Sequence, residues 1–331
     1  MSLRIIKQGL LTTIQDLGRW NYQAIGMPVG GAMDEYALRV GNLLVGNDEK
    51  EACIEFTMAG AQMYFEEDAV IAFTGAGVRI SVNEQPVPYW RALFVKAYRL
   101  IVLHPDFTGC RTYLSVAGGF DCAEVMHSKS TNLQARLGGW HGRALQANDL
   151  ISQAYKQTPV NQKIRSEFHC TDDVAIAHWS LSPLTYEFYR QPFIRVVKGH
   201  EWDWFDEYSQ EKFFNESFRV SNQSNRMGYR LEGTPMNRRR KEDLISTAVT
   251  KGTIQVTPDQ NMFLLMSDAQ TTGGYPRIAQ ISIVDLPLCA QLKPGDSTRF
   301  KEISMTEAEQ LYLDREKELE QLKDTIGLRF A

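Results

Sequence analysis

The sequence predicts a mainly β protein: two related antiparallel β-barrel units with a few helices and a C-terminal helix. Most of the chain reads as short apolar strands punctuated by glycine, proline or charge. Helical periodicity is convincing at only two places. The second half also echoes motifs of the first, in the same order.

In chain order, Leu3 to Ile6 and Leu11 to Ile14 flank a Lys-Gln-Gly turn. Strands follow at Gln62–Phe65, Val70–Thr74, Val78–Val82, Leu93–Val95, Leu100–Leu103 and Tyr113–Val116, and Met262 to Met266 reads as a buried strand. Asp34 to Leu44 (DEYALRVGNLL) puts Ala37, Leu38, Gly41 and Leu44 on one helical face, with acidic residues at its start. Thr306 to Thr325 opens on a capping box, Thr306 with Glu309, and carries Leu311, Leu319, Leu322 and Ile326 amid charges. That is the pattern of an amphipathic closing helix.

Four pairs of segments make the echo: RWNYQAIG (19–26) with RMGYRLEG (226–233), MAGAQMYF (58–65) with VTKGTIQV (249–256), VIAFTGAG (70–77) with MFLLMSDAQTTGG (262–274), and FVKAYRLIVL (94–103) with QLKPGDSTRF (291–300). Their order argues for related β units over roughly 10–105 and 217–301. A Gly-rich segment (115–145) extends the first unit, and the polar stretch 153–173 reads as the boundary. The expected domains are therefore 1–155 and 174–331, with ligand sites expected in the gap between barrels.

Bulk properties exclude several functions. A chain of 331 residues can bury a sizeable core, and a net charge of −4 gives no basic field for nucleic acid. Cys53, Cys110, Cys122, Cys170 and Cys289 are odd in number and lack a CxxC, so they read as free thiols. The histidines (His104, His127, His141, His169, His178, His200) show no metal-ligand spacing. MSLRIIKQGLL shows no cleavable signal and no apolar run approaches a membrane span, so a soluble, cytoplasmic protein without membrane association is expected.

Candidate chemistry lies on four loops. In TTIQDLGRW (12–20), Gln15, Asp16 and Arg19 follow a strand. Arg19 could offer its planar fork to a carboxylate, carbamate or phosphate, or it could clasp Asp16. GMPVGGAMD (26–34) places Gly30-Gly31 before a helix N-terminus, either to hold an anion or to make a tight turn; no GK[ST] follows. SNQSNRMGYRLEG (221–233) groups Asn225, Arg226, Tyr229 and Arg230, and the nearby RRRK (238–241) reads as a solvated loop. Two arginines on echoed loops, Arg19 and Arg226, could converge on one acidic ligand. DAQTTGGYPRIAQ (268–280) is the most specific element: Gln270, Thr271 and Thr272 supply donors and acceptors, Gly273 and Gly274 permit close approach, and Tyr275 can stack or hydrogen-bond. No Ser-His-Asp or Cys-His arrangement can be assembled, so no catalytic residue is assigned.

TIQDLGR, GMPVGGAMD, NLLVGN, TGAG, YLSVAGGFD, STNLQARLGGWHGR, SNRMGYRLEG and DAQTTGGYPRIAQ follow one another over nearly the whole chain. In these residues the sequence resembles the family of C-type 5-oxoprolinase subunits and KipA, described also as allophanate hydrolase subunit 2-like, which includes the second half of the urea amidolyase carboxyltransferase domain. The resemblance implies cyclophilin-like barrels, a B-type 5-oxoprolinase partner (KipI-like) and a third, A-type partner. With them the chain would carry out ATP-dependent opening of 5-oxo-L-proline to L-glutamate. His127 and Asn148 stand where the family carries glycine, and either could change the shape of its loop.

Two other functions remain open. A biotin-dependent carboxyltransferase component acting on a urea-like amide would use Arg19, Arg226 and the Gln270–Tyr275 loop, although the chain has no Met-Lys-Met site for covalent biotin. A non-catalytic protein antagonising a kinase inhibitor would use a surface patch. The lactam reading needs donors for developing charge. With no Walker motif here, ATP would bind at an unconventional site or with the partner subunits.

Overall fold

The structure, a computed structural model, describes residues 2–106, 108–154, 157–168, 172–240 and 242–330. His169, Cys170 and Lys241 lie outside these residues. The chain divides into two compact units: Met1–Arg19, Asp34–Thr185 and Glu318–Ala331 form the first, and Trp20–Met33 with Tyr186–Lys317 the second. This differs from the expected 1–155 and 174–331. The stretch read as a boundary carries a helix, Pro159–Ser166, closed by a capping box between Thr158 and Asn161. Val174–Ile176 then pairs with Ala92–Val95, so ladder hydrogen bonds tie it to the first unit.

The strands of the first unit are β1 (Ser2–Gln8), β2 (Leu11–Gln15), β3 (Cys53–Thr57), β4 (Ala61–Phe65), β5 (Ala69–Gly75), β6 (Val78–Val82), β7 (Gln85–Val87), β8 (Ala92–Val95), β9 (Ile101–Pro105), β10 (Arg111–Val116), β11 (Leu150–Ser152) and β12 (Val174–Ile176). They form two antiparallel sheets, β11-β1-β4-β9-β6-β7 and β12-β8-β5-β10-β3-β2. Strands β3, β7, β11 and β12 were not legible in the sequence. Glu55 interrupts the apolar run of β3, and Pro86 marks β7 as turn-like, a residue tolerated at the sheet edge it occupies.

Alternation directs Leu3, Ile5, Met63 and Phe65 from one sheet, and Ile54, Phe56, Ile71 and Phe73 from the other, into a single core. Helix α1 (Glu35–Leu44) packs on β5 and β10, which explains why every residue of β5 is buried. Its start lies where the sequence placed it, with Asp34 Oδ1 accepting from the Ala37 amide at 2.9 Å. Gly41 allows the close packing, since a Cβ there would sit 2.7 Å from Ser115 Oγ. His127 (φ +56) and Asn148 (φ +74) keep left-handed backbone angles, so both loops retain a glycine-type path despite their side chains. The first unit also holds α2 (Pro159–Ser166), and the division between units falls within α3 (Leu184–Glu187).

The second unit contains β13 (Ile194–Lys198), β14 (Phe218–Val220), β15 (Gly228–Glu232), β16 (Thr247–Ala248), β17 (Thr253–Val256), β18 (Met262–Leu265), β19 (Thr272–Gly273), β20 (Arg277–Ile281), β21 (Ser297–Thr298) and β22 (Phe300–Glu302). Its main sheet runs β21-β14-β15-β18-β17-β20-β13-β22, while β16 and β19 pair separately. Only Arg299 separates β21 from β22, so the chain itself joins the two sheet edges and the sheet curls into a nearly closed barrel. The pairing of β13 with β22 is parallel, against an otherwise antiparallel expectation. Val196, Phe218, Leu231, Ile254 and Leu264 fill the barrel, and the rings of Phe213 and Phe300 stack at 4.8 Å.

Helices α4 (Glu207–Asn215), α5 (Leu286–Gln291) and α6 (Met305–Arg329) complete the chain, which is mainly β with few helices, as predicted. The cap of α6 lies two residues before the expected box: Ser304 Oγ accepts from the Glu307 amide at 3.1 Å. Three of the echoed pairs give strands in both units, β4 with β17, β5 with β18 and β9 with β21. The arginine echo does not. RWNYQAIG is loop with a 3-10 turn at Gln23–Ile25, whereas RMGYRLEG forms β15.

Candidate functional site

In the second unit, the chain leaves β18 at Leu265 and reaches β20 at Arg277 through a loop pinned at both ends. At its start, Arg226 Nε and Nη2 donate to the two oxygens of Asp268 at 2.8 and 3.2 Å, and both side chains are buried. At its end, Arg277 Nε and Nη2 donate to the two oxygens of Glu201 at 2.7 and 2.6 Å, and the Arg277 amide adds a bond of 3.0 Å. Burial works to raise the Glu201 carboxyl, but the bonds from Arg277 outweigh it and hold the group below the usual carboxylate range. Midway, β19 pairs with β16, and the Val249 amide donates to Thr271 O at 3.0 Å.

From this braced backbone the side chains of Gln270, Thr272 and Tyr275 stand exposed, while Thr271, Gly273 and Gly274 are half-buried. A ligand meeting them would find the backbone that carries them already ordered, which lowers the entropic cost of binding. Neither glycine takes a left-handed φ. Neighbours crowd them instead: a Cβ on Gly273 would lie 2.5 Å from Gln255 Nε2, and one on Gly274 would lie 3.0 Å from Leu244 O. The close approach foreseen in the sequence is thus made by the protein's own groups. Gln255 Nε2 also donates to Tyr275 O at 3.1 Å, a further brace.

Gly30 (φ +68) and Gly31 (φ +81) form a tight turn in the same unit. The Gly30 amide donates to Ser267 O at 3.0 Å, and Gly31 O accepts from Arg226 Nη2 at 2.6 Å. One of the amides that could have held an anion, that of Gly30, is therefore spent on the loop. In the first unit, the Asp34 carboxylate occupies the first turn of α1. Asn225 is exposed and its Oδ1 accepts from the Met227 amide at 2.8 Å, an Asx turn. Tyr229 is a correction. The alternation of β15 sends it with Leu231 into the barrel core, where it is 2% exposed and out of reach of a ligand.

The first unit gathers Gln15, Asp16 and Arg19, all buried, around residues 128–131. Asp16 accepts from Ser128 Oγ at 2.7 Å, from the Lys129 and Gly18 amides at 2.6 and 2.8 Å, and from Ser130 Oγ. Gln15 Nε2 donates to Thr13 Oγ1 and Thr131 O at 3.0 and 3.2 Å, and Arg19 Nη2 donates to Ser130 O. The clasp weighed from the sequence exists in a different form, with Asp16 and Arg19 both gripping the 128–131 segment. Arg19 and Arg226 belong to different units, and each is held within its own.

Glu201 was missed by sequence reasoning. KGHEWDW matches no motif, and the available signal was an acid flanked by aromatic residues. Gln255, a lone amide inside the strand TIQV, was a second such signal. Cys53, Cys110, Cys122 and Cys289 are free thiols; burial pushes Cys53 and Cys122 up to about 12, well away from thiolate reactivity. Arg239 and Arg240 of the RRRK run are exposed. Among the described residues, no group of acids, histidines or cysteines is placed to hold a metal, and no helix is long and apolar enough to cross a membrane.

A family model described as carboxyltransferase domain, subdomain A and B, matches residues 25–302. The chain is 37% identical over 321 residues to the C-type 5-oxoprolinase subunit of Escherichia coli strain K12, covering 97% of each. It is 30% identical to the urea amidolyase of Lachancea kluyveri, covering 98% of this chain and 18% of that protein. The crystal structure of the K. lactis urea amidolyase superposes with a TM-score of 0.83 at 27% identity, over 97% of this chain and 20% of that one. The chain thus spans about a fifth of the length of those urea amidolyases.

Proposed function

This chain belongs to the family of the carboxyltransferase domain, subdomains A and B, and from that premise we propose that it is the C-type subunit of an ATP-dependent 5-oxoprolinase. With A-type and B-type partner subunits it opens 5-oxo-L-proline to L-glutamate, as a cytoplasmic hydrolase component that does not work alone. One observation carries the reading: 37% identity across 97% of both chains to a protein named as the C-type subunit of 5-oxoprolinase.

The pinned loop supports it chemically. A lactam carbonyl is a poor electrophile, and opening it places negative charge on its oxygen. Hydrogen-bond donors that meet that charge are the main protein contribution to such a step. Gln270 and Thr272 are the exposed donors, Tyr275 flanks them, and Thr271, Gly273 and Gly274 shape the loop. Arg226 and Asp268, with Arg277 and Glu201, act as positioning residues. Gln15, Asp16 and Arg19 support the fold of the first unit around 128–131. At the Gly30-Gly31 turn before α1, read from the sequence as a possible anion site, the Gly30 amide is bonded to Ser267 and the Asp34 carboxylate fills the start of α1. We therefore assign ATP to the partner subunits.

The test is co-expression with A-type and B-type subunits, following L-glutamate release from 5-oxo-L-proline with and without ATP. The complete complex should turn over, and each omission should abolish turnover. A complete complex that releases no glutamate would overturn the reading. The likeness to urea amidolyase favours one competitor, a carboxyltransferase component acting on a urea-like amide without covalent biotin on this chain. Carboxylation of urea by the same complex would establish that function instead.

A further inference from the structure

The pinned loop by itself leaves a small ligand uncovered. Gln270, Thr272 and Tyr275 stand exposed on it. The backbone beneath them is held through Asp268, Glu201 and Gln255, so the loop cannot fold over what it binds. Small-molecule sites bury roughly 70–90% of their ligand. A lactam acid lying on this surface therefore needs a second element to cover it.

One neighbouring segment is free to do so. Residues 242–246 make no hydrogen bond or ion pair with the described residues, through backbone or side chain. Leu244 is half-buried and the rest of the segment is exposed. It runs directly into β16, whose pairing with β19 (Thr247 with Gly273, Ala248 with Thr272) ties its end to the middle of the loop. Upstream, the Arg239 amide donates to Trp204 O at 2.7 Å. Leu244 and Ser246 pass close to Gly274: a Cβ there would lie 3.0 Å from Leu244 O and 3.4 Å from Ser246 Oγ. A segment with no bonds of its own and little buried apolar surface is displaced at small cost in free energy, and lids are drawn from such segments.

The exposed apolar groups fit that role. Ile245, between Leu244 and Ser246, is 86% exposed, and Tyr275, next to Gly274, is 45% exposed. An isoleucine this open gains from any contact that removes it from water. We propose that residues 242–246 are a lid that closes over the Gln270–Tyr275 stretch, and that Ile245 is its ligand-contacting residue. The lid turns about the β16–β19 pairing and lays Ile245 against Tyr275 and the ring methylenes of a bound lactam acid. The amide and carboxylate of the ligand remain with Gln270 and Thr272. Glu242 and Asp243 lie at the end of the segment farthest from the pairing and stay in water. The inference rests on the 5-oxoprolinase reading and adds the element that retains the substrate.

The test follows hydrogen exchange at residues 242–246 by mass spectrometry in three states: the full chain, the complex of all three proteins with ATP, and that complex with ATP and saturating 5-oxo-L-proline. In the first two the segment should exchange at nearly the rate of an unstructured peptide, and substrate should slow it at least tenfold. KM and melting temperature are read on Ile245→Ala and Ile245→Asp, with Leu328→Ala, at an exposed residue near the end of α6, as the control. Loss of the apolar contact should raise KM by about 3- to 10-fold in Ile245→Ala and by more than tenfold in Ile245→Asp. Melting temperatures should not change, and the control should keep KM within twofold of the parent. An active complex in which substrate leaves the exchange of 242–246 unchanged, or in which Ile245→Asp keeps the parent KM, overturns the lid and leaves the 5-oxoprolinase reading intact. Protection that appears on assembly and does not grow with substrate also overturns the lid, and makes the segment a subunit contact. A complete complex that releases no glutamate overturns the 5-oxoprolinase reading and the lid with it.

Discussion

Arg226→Met asks whether that guanidinium serves the ligand or the loop. Its side chain is 6% exposed and that of Asp268 9%, and the two share a bidentate pair. Removing one member of a buried pair strands the other charge, at about 3–5 kcal/mol. The bond to Gly31 O is lost as well. The unit carrying the pair, Trp20–Met33 and Tyr186–Lys317, has about 150 residues. At about 2–4 °C per kcal/mol for that size, the melting temperature should fall by roughly 6–20 °C. Arg226→Met combined with Asp268→Leu removes both charges and should recover most of that loss, since an apolar replacement of a buried pair is often neutral. Calorimetric melts of the parent, both single variants and the double variant decide it, with complex turnover read on the same samples. If Arg226→Met melts within 2 °C of the parent yet abolishes turnover, Arg226 faces the ligand and the clasp argument is wrong.

Ala substitutions at Gln270 and Thr272 should each lower turnover by about 2- to 10-fold with melting temperatures unchanged, because both side chains are exposed; turnover equal to the parent would make the loop scaffold. Gly273→Val should destabilise the protein by roughly 1–3 kcal/mol, since its Cβ would collide with the Gln255 amide, and a denaturant melt reads this directly. Glu201 has a depressed folded-state pKa, so its contribution to stability is present above the unfolded carboxylate value near 4.5 and is lost as pH falls below it. Melts from pH 7 to pH 3 should therefore show a decline that begins near pH 4.5 and is shallower in Glu201→Gln. His127→Gly should be neutral or stabilising by up to about 1 kcal/mol, because relief of a left-handed backbone angle is partly offset by the added freedom of the unfolded chain; a lower melting temperature would show that the His127 side chain contributes more than its backbone angle costs.

Where information is local, the sequence determined the structure. The period of apolar residues located β1, β2, β4–β6 and β8–β10, and Asp34 followed by an apolar face located α1 to within a residue. The ordered motifs determined the family, and DAQTTGGYPRIAQ marked the loop with the exposed polar groups. Only the tertiary structure decided which polar residues are available. Gln15, Asp16, Arg19 and Arg226 look like Gln270 and Thr272 on paper, yet the first four are buried among their own unit's partners. The register of β15 turned Tyr229 into core, and Gln255 and Leu244 from elsewhere in the chain explain two glycines that seemed reserved for a ligand. Glu201, far from the loop in sequence, anchors its end, and Trp20–Met33 joins the second unit across more than 150 residues of chain. Periodicity and caps are set by neighbours a few residues away, whereas burial, ion-pair partners and steric approach are set by residues that meet only after the sheets have closed.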